Sequence, residues 1–506
     1  MQLSLLKRNV AANFAGRGFV AAISVVVIPI YIRFLGIEAY GIIGFFTTLT
    51  ALSALFDVGL STTANRELAR LTARGDRGQD ARDLVRTLEV AYWLCAALLG
   101  VLAALSADAI ATNWLQVERL GADEAGRAVR VMALVLVIQF PMHLYAGCLL
   151  GLQRHVLLNA VQTAATAAQI VGAVLVLWLV SPSLTAFFVW QGVARAVQVG
   201  LLALLVLRSL PQAPRPGRFR MGQLRRIWRF AAGMSAISVL GLLLTQVDSL
   251  LLSRLLPLSQ FGYYALARSL AQGLFIFVTP VFTAVFPHFA QLAALGDEVR
   301  LRETYHRASQ VLSVAVMPAA VVLALFAPHV LWAWTGDGET VRNAALLVGL
   351  LAPATALNGI QHAPYALQLA SGWTKFALWA NVLALAFLVP SIVYLTETFG
   401  PAGAAVAWLA MNAGSLLIAP PLMHRHLLKG ALPRWYAHDC GRPLLAALAV
   451  AAGARWLFPP IEDRLLTLFV LALVYCAAAV AAAALLPWMR SLATATLAFA
   501  VRRHVP

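Results

Sequence analysis

Apolar windows of about 20 residues, each long enough to cross roughly 30 Å of hydrocarbon as a helix, recur in fourteen places along the chain. They cover residues 10–32, 40–60, 87–106, 128–150, 158–180, 184–207, 230–253, 262–286, 309–331, 343–369, 375–395, 401–423, 442–458 and 465–487. Peptide groups in lipid must be satisfied internally, so the pattern predicts helices. The ten-residue alternating segments of a β-barrel do not occur. The expected fold class is all-α integral membrane, with about 14 transmembrane helices. The first window follows Lys7 and Arg8 and resembles a signal peptide. However, Asn13 and Arg17 interrupt it and no small-residue cleavage site follows, so it reads as a retained span.

The polar segments between windows set an orientation. Alternate connections carry the basic residues: Arg66 to Arg86, then Arg208 to Arg229, then Arg425 to Arg442. The opposite connections hold scattered cations such as Arg119, Arg127, Arg342 and Arg464 and are richer in acids. The positive-inside rule then puts both termini in the cytoplasm, which requires an even number of spans.

The chain also repeats itself. "RFLGIEAYG" at 33–41 returns as "RLLPLSQFG" at 254–262, and "ARLTARGD" at 69–76 aligns at the same offset with "AQLAALGD" at 290–297. "GLQR" (151–154) falls on "GWTK" (372–375), and Arg8 on Arg229. One register over nearly 150 residues argues for a duplicated six-helix unit. An even-numbered unit keeps both copies the same way up, the parallel-repeat plan of many transporters. The expected domains are an N-lobe at 1–207, a basic cytoplasmic linker at 208–229, a C-lobe at 230–428, and a C-terminal helix pair with tail at 429–506. The Gly that closes each nonapeptide is expected to allow close helix contact or a tight turn. "MGQLRRIWRF" reads equally as an amphipathic stretch on the leaflet or as topology signal plus linker.

Polar residues inside the windows fall on single helical faces. Span 1 carries Asn13 and Arg17, span 2 Asp57, span 6 Gln191, Arg195 and Gln198, span 8 Arg268 and Gln272, and span 10 Asn358 and His362. Such faces either line a wet cavity or join helices by hydrogen bonds. Arg195 lies about eleven residues into its span, where snorkelling helps little, and is the leading cavity cation. Arg17 and Arg268 lie nearer an end. A guanidinium matches phosphate oxygens two at a time, so an Arg-lined cavity implies an anionic cargo. Asp57 and Asp248 are candidates for charge pairing or ion coupling, and His143 and His362 for proton exchange or simple hydrogen bonding.

Composition excludes several classes. Charged residues make up 12% and apolar ones 61%, mean hydropathy is +0.80, and soluble domains carry about 25% charge. The net charge of +17 gathers in the topology-setting loops, which removes the case for nucleic acid. Cys95, Cys148, Cys440 and Cys476 form no metal or disulfide pattern. No phosphate-cradling Gly loop, HExxH or nucleophile elbow occurs, and no loop is long enough for a catalytic domain. Neither an enzyme nor a cofactor is expected.

"YIRFLGIEAYGIIGF", "FDVGLSTTANRELAR" and "DSLLLSRLLPLSQFGYYALARSL" resemble bacterial polysaccharide-biosynthesis flippases. These are the O-antigen and exopolysaccharide translocases of the multidrug/oligosaccharidyl-lipid/polysaccharide exporter superfamily. The resemblance covers spans 1 to 12, and Pro257 departs from it where the first copy has Gly36. It implies two lobes rocking around a central cationic cavity in the bacterial inner membrane. The implied cargo is an undecaprenyl-pyrophosphate-linked oligosaccharide moved to the periplasmic leaflet. Arg17, Arg195, Arg268 and Asp248 stand where such proteins place cavity charges. The implied partners are that lipid-linked glycan, membrane lipids, and a glycan polymerase or glycosyltransferases of the same pathway. A lipid II flippase, a cation-coupled drug exporter and a membrane glycosyltransferase are the competing readings.

Overall fold

The computed structural model describes residues 20, 23–57, 59–73, 78–225, 236–458 and 461–490. Asn13 and Arg17, the last part of the basic linker and the tail beyond residue 490 lie outside the described residues. Within them the backbone is helical almost throughout, and the one β-type pairing is an isolated bridge between Gln116 and Pro257. Eleven of the described helices are long and apolar enough to span a membrane. Ile23–Leu35, Ala236–Leu255 and Arg442–Leu457 stand in the first, seventh and thirteenth windows. The chain is an all-α multi-span membrane protein. It divides into two compact units, Met1–Gly262 and Tyr263–Pro506.

In the first unit the helices are α1 (Ile28–Leu35), α2 (Ile37–Ser53), α3 (Leu60–Thr72), α4 (Gly78–Ala109), α5 (Ala122–Gln139), α6 (Met142–Gly151), α7 (His155–Leu179), α8 (Leu184–Ser209) and α9 (Ala236–Leu255). Leu68, Leu88, Phe140, Leu144 and Leu202 build a core where α3, α4, α6 and α8 meet. Leu94, Leu98, Val101 and Leu105 of α4 are exposed at spacings of three and four, a stripe suited to lipid. Gly147 and Gly151 of α6, a G-x-x-x-G pair, sit against the Ser61 and Asn65 backbone of α3. Small residues of this spacing let membrane helices approach closely.

Helix α10 (Leu258–Gln272) begins in the first unit, where Leu258 to Gly262 belong, and the second unit continues through α11 (Phe275–Leu295), α12 (Glu298–Leu325), α13 (Ala327–Thr335), α14 (Gly338–Ile360), α15 (His362–Ala370), α16 (Thr374–Phe399), α17 (Pro401–Leu427), α18 (Arg442–Leu457) and α19 (Arg464–Ala484). The eighth window, expected as one helix over 262–286, is two. Gly273 costs about 1 kcal/mol in a helix interior, and its N–H turns back to Ser269 and Leu270 at 3.2 and 3.1 Å. The C-terminal pair α18 and α19 packs Ala447, Ala451, Leu471 and Ala478 against Val321, Val322 and Phe326 of α12 and its end.

The two copies of the nonapeptide lie against each other. A Cβ on Gly41 would stand 2.7 Å from the Leu258 carbonyl oxygen, and Gly262 sits against the Ile37 carbonyl. Gly41 and Gly262 correspond in the repeat, as do Ile37 and Leu258, so the contact is reciprocal, as in a two-fold interface. The segment after α4 straps this junction. Glu38, buried, accepts the backbone N–H groups of Glu118, Arg119 and Leu120 at 2.6, 2.9 and 3.0 Å. Gln116 accepts from the Leu258 N–H at 2.9 Å and donates to the Arg254 carbonyl at 2.8 Å. Trp114 donates to Ser253 at 3.0 Å and lies under the Arg254 guanidinium.

The basic linker is laid along α4. Residues 211–220 carry no regular secondary structure. Arg82 donates to the Pro211 carbonyl at 2.9 Å, the Arg218 N–H to Asp83 at 2.8 Å and the Arg220 N–H to Thr87 at 3.0 Å. The Arg220 guanidinium closes on the fully buried Asp83 at 2.6 Å.

The reciprocal contact predicts that Gly41→Ala and Gly262→Ala each destabilise the protein by about 1–3 kcal/mol, the cost of overpacking. Gly200→Ala, where no atom lies within 4 Å of the added carbon, should not. Thermal unfolding of the three purified variants checks this. Equal midpoints would refute the contact.

Candidate functional site

The sequence FDVGLS breaks span 2 at a buried acid. After α2 the chain makes one 3-10 turn, Ala54–Asp57, passes through Gly59 at φ +74° and restarts as α3. That positive φ suits glycine. Asp57 accepts from the Ser61 N–H at 3.2 Å and the Ser61 hydroxyl at 2.7 Å, so it caps the new helix end. The Tyr92 hydroxyl of α4 donates to Oδ1, the oxygen that also accepts the Ser61 N–H. Three donors offset the cost of withdrawing a carboxylate from water.

Tyr92 leads to the rest of the cluster. Its ring lies 5.2 Å from that of Phe140, and Phe140 lies edge-on to His143 at 6.4 Å. His143 on α6 is within electrostatic reach of both Asp57 and Arg195. On α8, Arg195 donates to Gln198 at 2.9 Å, and its Nη1 lies 3.8 Å from the Met142 sulfur. No described carboxylate pairs with this half-buried guanidinium within 4 Å. Gln139 donates to Thr50 at 3.1 Å beside the break. Four expected residues, Asp57, His143, Arg195 and Gln198, therefore gather in the first unit. The assembly offers one permanent cation, one carboxylate already occupied by neutral donors, one imidazole and several amides and hydroxyls.

The other candidates stand elsewhere. Gln191 is half-buried one turn before Arg195. Asp248 is buried on α9. Arg268 is half-buried on α10, and Gln272 is exposed at its end, next to the Gly273 break. The His362 Nδ1 lies 3.1 Å from the Asn358 carbonyl one turn back, and Phe275 and Phe282 meet the ring edge-on at 5.5 and 5.8 Å. On the same stretch Asn358 donates to Asn412 at 2.9 Å and Gln361 accepts from Ser415 at 2.8 Å. The polar face of span 10 thus joins α14 and α15 to α17 by interhelical hydrogen bonds.

Sequence reasoning missed Tyr92, Met142 and the G-x-x-x-G of α6. The glycine pair was legible as a motif. Tyr92 was not, because the partners Tyr92 and Asp57 are 35 positions apart.

A family profile for polysaccharide biosynthesis proteins matches residues 6–293, and a MatE profile matches residues 234–395. A Shigella flexneri protein designated an O-antigen transporter is 20% identical over 406 residues, covering 80% of this chain and 94% of its own. The succinoglycan biosynthesis transport protein ExoT of Rhizobium meliloti is 24% identical, over 89% and 86% of the two chains. Among solved structures, the lipid II flippase MurJ in an inward closed conformation superposes with a TM-score of 0.71 at 11% identity, covering 92% of this chain and 98% of its own. The first profile spans more than half of the sequence, and the chain belongs to the polysaccharide biosynthesis protein family, within the multidrug/oligosaccharidyl-lipid/polysaccharide exporter superfamily.

Proposed function

We propose that the protein flips an undecaprenyl-pyrophosphate-linked oligosaccharide from the cytoplasmic to the periplasmic leaflet of the bacterial inner membrane. Arg195 carries this reading. A guanidinium held inside a membrane helix bundle with no described carboxylate within 4 Å is a charge that an anionic ligand would neutralise, and a pyrophosphate fits its donor fork. Gln198 holds one guanidinium N–H group and orients the rest. Gln191, on the same face of α8, would reach the adjoining sugars.

The family and the transport relatives supply the cargo class. A lobe at 1–207 and a lobe at 230–428, joined by the 208–229 linker and followed by the 429–506 helix pair, would alternate access around a cationic cavity to which Asn13, Arg17, Arg268 and Gln272 contribute. Both termini then face the cytoplasm. Asp248 pairs a charge or couples an ion in the same cycle, and His143, beside Asp57 and Arg195, is placed to exchange a proton as the anion arrives. Export of cationic drugs fits less well, because Asp57 already accepts three hydrogen bonds.

Reconstituted protein should accelerate exposure of a labelled undecaprenyl-pyrophosphate oligosaccharide to an impermeant glycosidase. Arg195→Ala should lower that rate by about 10- to 100-fold, the worth of one charge-assisted hydrogen-bond set, with unchanged yield. Arg195→Lys should keep part of it. Normal transport by Arg195→Ala would overturn the anionic site. Separately, Asp57→Asn keeps the Ser61 and Tyr92 geometry while removing the charge. It should reduce transport less than Arg195→Ala, and the same assay checks the order.

A further inference from the structure

The second unit holds a buried titratable cluster apart from the Arg195 site. After α17 the chain forms a short π-helical segment, Trp435–Gly441, that docks on one face of α12. His306, Ser309, Gln310 and Ser313 share that face at spacings of three and four. Asp439, fully buried, pairs with His306 Nδ1 and accepts from Gln310 at 2.7 Å. Trp435 donates to Ser309 at 3.0 Å, and Ser313 to Cys440 at 3.6 Å. Trp488 caps Gln310 from beyond α19.

A second imidazole faces the same acid. His424 of α17 is 1% exposed. Its Nδ1 lies 2.7 Å from the Pro420 carbonyl, so Nδ1 carries the hydrogen and Nε2 keeps its lone pair. That Nε2, beside the Tyr305 ring, is buried and has no hydrogen-bond partner among the described residues. His306, Asp439 and Arg302 are the charged or titratable groups within its electrostatic reach. Arg302 is turned to the Lys429 carbonyl at 3.0 Å, and Arg307 lies over Trp488. Burial pushes the Cys440 thiol up to about 12, so it stays uncharged.

The first unit has the matching attachment with its charges exchanged. There the segment after the sixth span straps the start of α4. The acid, Asp83, is on the helix and the cation, Arg220, is in the strap. In the second unit the acid, Asp439, is in the strap and a histidine is on the helix. An arginine pair keeps its charge at every accessible pH, whereas a histidine pair does not.

We propose that His306, Asp439 and His424 form a one-proton binding site that makes the strap attachment of the second unit, unlike the arginine-held strap of the first, respond to proton supply. One buried carboxylate neutralises one imidazolium, so the cluster holds a single proton, on His306 Nε2 or His424 Nε2. Releasing it leaves Asp439 as an uncompensated buried charge, which is expensive. The bound form therefore prevails when protons are plentiful, and attachment of the 435–441 strap to α12 weakens when the proton is released. As a coupling site it rests on the transport reading above, but proton binding itself does not.

The test is potentiometric titration of the purified, detergent-solubilised full chain between pH 5 and 8, with no glycan present. Asp439→Asn should take up one proton fewer than wild type. So should His306→Arg, which copies the permanent pair of the first unit and serves if Asp439→Asn fails to fold. Unchanged uptake in a folded variant overturns the site. In liposomes, wild-type flipping should follow a bell-shaped pH profile, falling about tenfold per pH unit on either side, and His306→Arg should flatten it. Loss of uptake with an unaltered pH profile would refute the coupling and leave the transport reading intact.

Discussion

A carboxylate withdrawn from water must be met by donors, and four buried acids anchor the segments where the chain leaves regular helix. Glu38 gathers three backbone N–H groups of the segment that crosses the repeat junction. Asp57 ends one helix and caps the next. Asp83 binds the linker backbone and an arginine, and Asp439 binds the strap of the second unit to α12. Membrane helices satisfy their own backbones, so their packing alone does little to hold irregular connections in place. An unpaired buried acid costs several kcal/mol, which gives each connection one strongly preferred seat.

Duplication supplies the geometry on which those acids act. Close approach of two backbones needs residues without a side chain, and the repeat provides one at each matching position, Gly41 and Gly262. The straps of the two units differ in their charges. The strap on α4 uses Arg220 and Asp83, and the strap on α12 uses Asp439 and His306.

The helical plan was legible in the sequence because a membrane imposes one length and one periodicity on every span. Window limits failed where local chemistry overrides hydropathy, as at Gly273, which splits the eighth window while the apolar run continues. The gathering of Asp57, His143, Arg195 and Gln198 was legible residue by residue, since each is costly inside lipid. Their mutual arrangement was not. Partners such as Tyr92 and Asp57, or His306 and Asp439, meet across 35 and 133 positions, and no periodicity encodes such a distance. His362, for which the sequence allowed proton exchange or simple hydrogen bonding, has its Nδ1 facing a carbonyl one turn away.

Asp57 and Arg195 both lie within electrostatic reach of His143, yet they form no ion pair with each other. A direct ion pair would satisfy both charges, and an incoming anion would have to displace the carboxylate. Here Ser61 and Tyr92 occupy the Asp57 oxygens, while Gln198 and Met142 hold the guanidinium without cancelling its charge. His143 lies within reach of both. The lone pairs of the acid remain engaged, while the charge of the cation stays uncancelled. Such separation keeps a buried cation tolerable to the fold and still open to a ligand, a condition that any anion-handling site within a membrane must meet.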